Sequence, residues 1–164
     1  MDFLLGLEQL GFSAWVRESS SIWAYPTVLF LHTMGLAIVI GLNVGIDLRI
    51  LGLAPEVPLG PMIRFFPLIW VGFCVNALSG SILLIADATT KMTNPVFYIK
   101  MVFIILALVN LRFLKTHVFL DPLVDKRPPS NNARIMAVTS IILWFAATTA
   151  GRLMAYIGPV SGIQ

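Results

Sequence analysis

Charged side chains are scarce in this 164-residue chain. They make up 12% of it, where a soluble domain carries about 25%, and 58% of its residues are hydrophobic. With a mean hydropathy of +0.90, most of the surface must face lipid. Cysteine is nearly absent: the single Cys74 excludes an internal disulfide, and there is no paired-cysteine motif for zinc or redox chemistry. Histidine occurs only twice, at His32 and His117. The methionines are scattered, without the MxxM pairs of a copper relay. The net charge of +3 is small, and no basic patch interleaves with aromatics, which argues against a nucleic-acid partner. No acidic dyad or nucleophile–base pair is legible, so whether the chain is an enzyme stays open; any catalysis would have to work inside the membrane.

What is present is four long apolar segments, at about 22–51, 65–86, 95–119 and 133–157, each able to cross a hydrocarbon core that needs about 20 residues. The connections at 54–61, 87–95 and 121–132 hold prolines and polar residues and read as loops. Short connections predict an all-α, up-down-up-down four-helix transmembrane bundle forming one domain over 1–164. In residues 1–20, Phe3, Leu4, Leu7, Leu10, Gly11 and Ala14 recur at helical spacing among Glu8, Arg17 and Glu18, which predicts an amphipathic helix on the membrane surface. With Asp2 and Glu8 at the start and no cationic leader, the first span is expected to act as its own insertion signal.

Lysine and arginine set the expected orientation. Arg49, Arg64, Arg112, Lys115, Lys126, Arg127 and Arg134 gather at one end; Arg17, Lys91, Lys100 and Arg152 stand at the other. The richer end is expected to be cytoplasmic, with both termini and the 87–95 turn in the periplasm of a bacterium and the chain in the inner membrane. Trp15, Trp23, Tyr25, Tyr98 and Tyr156 would form an aromatic belt on the outer face.

His32 is the residue that says most about chemistry, because an ionisable group inside a span is a functional candidate by default. It lies nine residues after Trp23, about 13 Å below the outer interface at 1.5 Å per residue. At about 100° per residue, His32, Leu36, Val39, Asn43 and Asp47 form one stripe, and Gly41 and Gly45 form a GxxxG on the opposite side for a neighbouring helix. Asn76, Gly80, Leu83 and Asp87 share a face of the second span; Thr148, Arg152, Ala155 and Tyr156 share one of the fourth. Asn43, Asn76 and Asn110 would form an interhelical hydrogen-bond layer. The outer half thus collects His32, Lys100, Arg152, Asp87, Tyr98 and Tyr156 as the candidate site, in which Lys100 and Arg152 either snorkel to head groups or neutralise an anion. His117, at the far end of the third span, is expected more than about 15 Å away in depth. No second in-span histidine shares the depth of His32; Met101 and Met154 are the sulfur groups near it.

The phrases His32-Thr-Met-Gly-Leu-Ala, Asp47-Leu-Arg-Ile-Leu-Gly52, Lys100-Met, Asn110 and Gly151-Arg-Leu-Met-Ala-Tyr156 resemble a family of small bacterial four-span membrane proteins over nearly the whole chain. That resemblance implies the fold and brings no activity with it. More remotely, a histidine early in one span and a lysine opening a later one resemble the CopD-type copper-resistance proteins and the HemJ-type protoporphyrinogen oxidases, which bind haem b. This second resemblance implies His32 as a metal or haem ligand and Lys100 as the matching lysine.

Three functions follow as expectations. The first is a b-type haem electron-transfer protein with His32 as axial ligand, Lys100, Arg152 and Tyr156 around the cofactor, and a quinone or a periplasmic redox protein as partner. The second is a copper-binding or transport module in the periplasmic half. The third is an accessory subunit without cofactor, in a larger membrane complex or a homo-oligomer.

Overall fold

The structure of the protein is a computed structural model that describes residues 2–154, Tyr156 and Ile157. All the regular structure among these residues is helical, and the chain is a multi-pass integral membrane protein built as a four-helix bundle. Lipid supplies no hydrogen-bond partners, so each span satisfies its backbone internally. Two short helices, α1 (Asp2–Glu8) and α2 (Gly11–Glu18), precede the first span, α3 (Tyr25–Leu51). A 3-10 turn at Gly60–Arg64 leads into α4 (Phe65–Ala86). The short α5 (Ala88–Met92) precedes α6 (Pro95–Leu114), which runs on as a π-helical turn at Lys115–Phe119; α7 (Asn131–Leu153) is the fourth span.

Local chemistry sets these limits. Pro26 stands at the start of α3, and Gly52 closes that helix at φ 108°, a left-handed conformation open to glycine. The Asn94 side chain accepts from Val96 N at 2.9 Å, with Pro95 as the first helical residue of α6. Ser130 caps α7 by accepting from Ala133 N at 3.2 Å. Lys91 donates to Leu83 O at 2.6 Å, using a carbonyl left over at the end of α4. The 87–95 connection, expected to be a plain turn, therefore contains a helical turn of its own.

Residues 1–20 are not one helix. Leu10 is extended (φ −58°, ψ 135°) and splits the segment into α1 and α2. Both segments dock on the bundle, α1 against α5 and α2 against α4, with Ser13 and Val16 buried. Glu8 Oε1 accepts from Thr89 N at 2.7 Å and from Thr89 Oγ1 at 2.6 Å. These bonds hold the Glu8 carboxyl below its ordinary pKa of 4.5.

Packing is organised in two hairpins, α3 with α4 and α6 with α7, joined along an α3–α7 seam. The α3–α4 crossing is close: a Cβ on Gly35 would come within 2.7 Å of both Asn76 N and Gly72 O. Gly41 and Gly45 do not perform this function. A Cβ on either would meet nothing within 4 Å, so the GxxxG expected to admit a helix faces outward. The helix wheel finds a small-residue stripe, but only the partner's own small residues, Gly72 and Gly80, decide which stripe is used. At the arginine-rich end the hairpins close over a core that includes Ile46, Ile50, Phe66, Ile69, Leu114 and Phe119. There Phe66 of α4 meets Phe119 edge-on at 5.1 Å, and Lys115 Nζ lies 5.5 Å from the Phe66 ring centre. The Asp125 carboxylate ties the two loops at this end, accepting from Leu59 N at 2.6 Å and Gly60 N at 3.0 Å.

Candidate functional site

Toward the α5 end the hairpins enclose a cavity of about 480 Å³. All four spans contribute: His32, Leu36 and Val39 from α3; Phe73 and Asn76 from α4; Lys100 and Ile104 from α6; and Trp144, Thr148, Gly151 and Arg152 from α7. The volume falls in the range of small-molecule sites, roughly 300–1,000 Å³.

His32 is held by the helix opposite. Its Nδ1 lies 3.0 Å from Asn76 O and 3.3 Å from Ser79 Oγ. A carbonyl oxygen can only accept, and the Ser79 hydroxyl already donates to Val75 O at 2.6 Å. The Asn76 amide donates to His32 O at 2.7 Å and stands farther from His32 Nδ1, at 3.3 Å, than the Asn76 carbonyl oxygen does. In the neutral ring Nδ1 therefore carries the proton, and Nε2, which makes no hydrogen bond among the described residues, keeps its lone pair. Gly80 makes room for this approach: a Cβ there would lie 3.0 Å from His32 Cε1 and 3.3 Å from Nδ1.

The opposite wall is cationic. Lys100 reaches from α6 across Gly151 of α7, with Cε and Nζ both 3.5 Å from where a Cβ would stand. Arg152 follows Gly151 on the rim and is exposed. No carboxylate lines the cavity, and among the described residues neither Lys100 nor Arg152 makes an ion pair. The wall can hold an anion against an otherwise apolar interior of Leu36, Val39, Phe73, Ile104 and Trp144.

Of the cluster drawn from the sequence, His32, Lys100 and Arg152 thus meet at one cavity. Tyr156 does not line it and is 66% exposed. Tyr98 faces outward, donating to Met92 O at 2.9 Å, and Asp87 stands 3.9 Å from Lys91 Nζ. Met101 is exposed, and neither it nor Met154 reaches the lining. Ala155, expected beside Arg152, lies outside the described residues. The asparagines do not form one layer: Asn76 bonds α3, Asn110 donates to Met136 O of α7 at 2.9 Å, and Asn43 bonds Val39 O on its own helix. His117 is exposed at the far end, its Nδ1 2.9 Å from Phe113 O.

Ser79, Gly72 and Trp144 were not legible as site residues. Gly72, Asn76 and Gly80 recur every fourth position, a signal the α4 face does carry; Trp144 comes in only through the α3–α7 register. Among the described residues no group of three or more His, Cys, Asp or Glu side chains converges to hold a metal. His32 is the one side chain of those types that lines the cavity among the described residues. No family model, curated protein or solved structure matches the chain.

Proposed function

We propose that this membrane protein binds one b-type haem in the cavity between its hairpins and carries electrons through it. One observation supports the reading above others: His32 Nδ1 is fixed on the Asn76 carbonyl while the ring lines a cavity that also holds two cations and no carboxylate. A histidine anchored through one nitrogen offers the other to a metal in a fixed orientation and with raised basicity. The donor set fits haem: His32 would hold the iron through its free nitrogen, Lys100 and Arg152 would pair with propionates, and Phe73, Ile104 and Trp144 would keep water from the ring. Bound haem supplies one-electron chemistry. Asn76 and Ser79 orient the ligand, and the Lys100 and Arg152 cations favour the more negative state. The lysine and arginine distribution supports an orientation in which the cavity lies in the periplasmic half of a bacterial inner membrane, where a quinone in the bilayer or a periplasmic redox protein would be the partner.

Hemin titrated into detergent-purified protein tests the assignment. A Soret band that shifts and saturates with the wild type, and fails to do so with His32→Ala, is the expected result. Equal behaviour of the two proteins overturns the ligand assignment. No binding by either leaves the cavity to another anionic amphiphile, and under a purely structural role His32→Ala alters only assembly or stability.

A further inference from the structure

Asp47 is the one carboxylic acid inside any span. The other seven acids, from Asp2 to Asp125, lie outside the spans. Its side chain sits in the α3–α7 seam at 1% exposure, facing the Ser140 hydroxyl, and Oδ2 has no hydrogen-bond partner. No cation compensates it among the described residues. Arg49 on the same helix is turned to the carbonyls of Val57 and Pro55, and Lys115 lies over the Phe66 ring. Arg64, Arg112, Arg134 and His117 are exposed. A bare carboxylate here lacks both water and a counter-ion, so something positive must be able to join it. A hard metal cation takes about six oxygen ligands, and no such cluster converges among the described residues. A proton needs only the free oxygen.

The surroundings also offer the proton a way in. Val39 and Trp144 line the cavity floor. Asn43, one turn beyond, donates to Val39 O at 2.7 Å, and Asp47 is one turn further along the same stripe. Trp144 Nε1, like Asp47 Oδ2, is a buried polar atom without a partner. Trp144 stands one helical turn from Ser140 on α7, and Asn43 stands one turn from Asp47 on α3, so polar groups lie between the cavity floor and the Asp47 carboxyl in an otherwise apolar seam. We infer that Asp47 is a proton-binding site within the membrane, whose carboxyl takes up and releases a proton through the floor of the cavity. This does not rest on haem as the cavity's ligand.

Infrared spectra of the full chain reconstituted in liposomes, recorded through a pH titration in water and heavy water, test it. At neutral pH the wild type is expected to show the C=O stretch of a protonated carboxyl, sensitive to deuterium and absent from Asp47→Asn. The band should fade as pH rises, unaffected by replacing sodium with choline. Ser140→Ala should move its frequency without removing it, which assigns the band even if Asp47→Asn does not fold. A wild-type spectrum without the band at neutral pH overturns the inference. So does a band indifferent to pH while circular dichroism reports an intact fold, or a titration that shifts with sodium.

Discussion

His32 and Asn76 hold each other twice across the α3–α4 crossing: the Asn76 amide donates to His32 O at 2.7 Å, and Asn76 O faces His32 Nδ1 at 3.0 Å. One bond uses the asparagine side chain and the other its backbone, so the two can be separated. Asn76→Ala removes the first and leaves the carbonyl in place. It should cost about 0.6–2 kcal/mol, the range for an interhelical hydrogen bond in a membrane. Unfolding of the variant in mixed micelles measures the loss. Hemin binding should survive in Asn76→Ala and not in His32→Ala; loss in both assigns the orienting function to the amide instead.

The close crossing predicts opposite outcomes for two glycines of α3. Gly35→Ala would drive a methyl into Asn76 N and Gly72 O, backbone atoms that cannot turn aside. The hairpin must part, at about 1–3 kcal/mol. Gly41→Ala meets nothing within 4 Å and should be neutral, or stabilising by up to about 1 kcal/mol through helix propensity. The same unfolding assay compares them. Strong destabilisation by Gly41→Ala would mean that its outward face is covered by another chain.

Glu8 makes the docking of α1 sensitive to acid. Its folded pKa lies below the ordinary 4.5, chiefly because Thr89 donates to the carboxylate. The stabilisation is therefore complete above about pH 4.5 and is lost as pH falls through the lower folded value. Protection of the Thr89 amide, taken as its exchange relative to the intrinsic rate at each pH, should be high at neutral pH and fall in acid. In Glu8→Ala it should be low throughout, with a loss near 1 kcal/mol. Protection at Thr89 that ignores both acid and the substitution would contradict the clamp.

The orientation is testable independently. A periplasmic reporter fused after Gln164 should be active, and a cytoplasmic reporter there should not. The reverse would invert the bundle and turn the cavity toward the cytoplasm.

The spans were legible because lipid demands long apolar helices, and each lies within a few residues of its expected bounds. The helix wheel placed His32 on the stripe with Val39, Asn43 and Asp47, and the structure buries the last three and brings His32 to the cavity. It could not choose between opposite faces for close packing, since Gly41–Gly45 and Gly35 are equally plausible on α3 alone. The site residues on α6 and α7 divided for a similar reason. Lys100 and Arg152 project to the cavity between the hairpins, while Tyr98 and Tyr156 turn outward, and only the register between hairpins separates them. The two short helices at the start were hidden because apolar residues run through the break at Leu10.

The central claim is that His32 presents Nε2 to a haem iron. The most direct measurement is a reduced-minus-oxidised visible spectrum of the protein purified in detergent from haem-replete cells, with pyridine haemochromogen quantitation. The account predicts b-type bands in stoichiometric amount, lost in His32→Ala. A flat spectrum from protein that circular dichroism shows to be folded would contradict it.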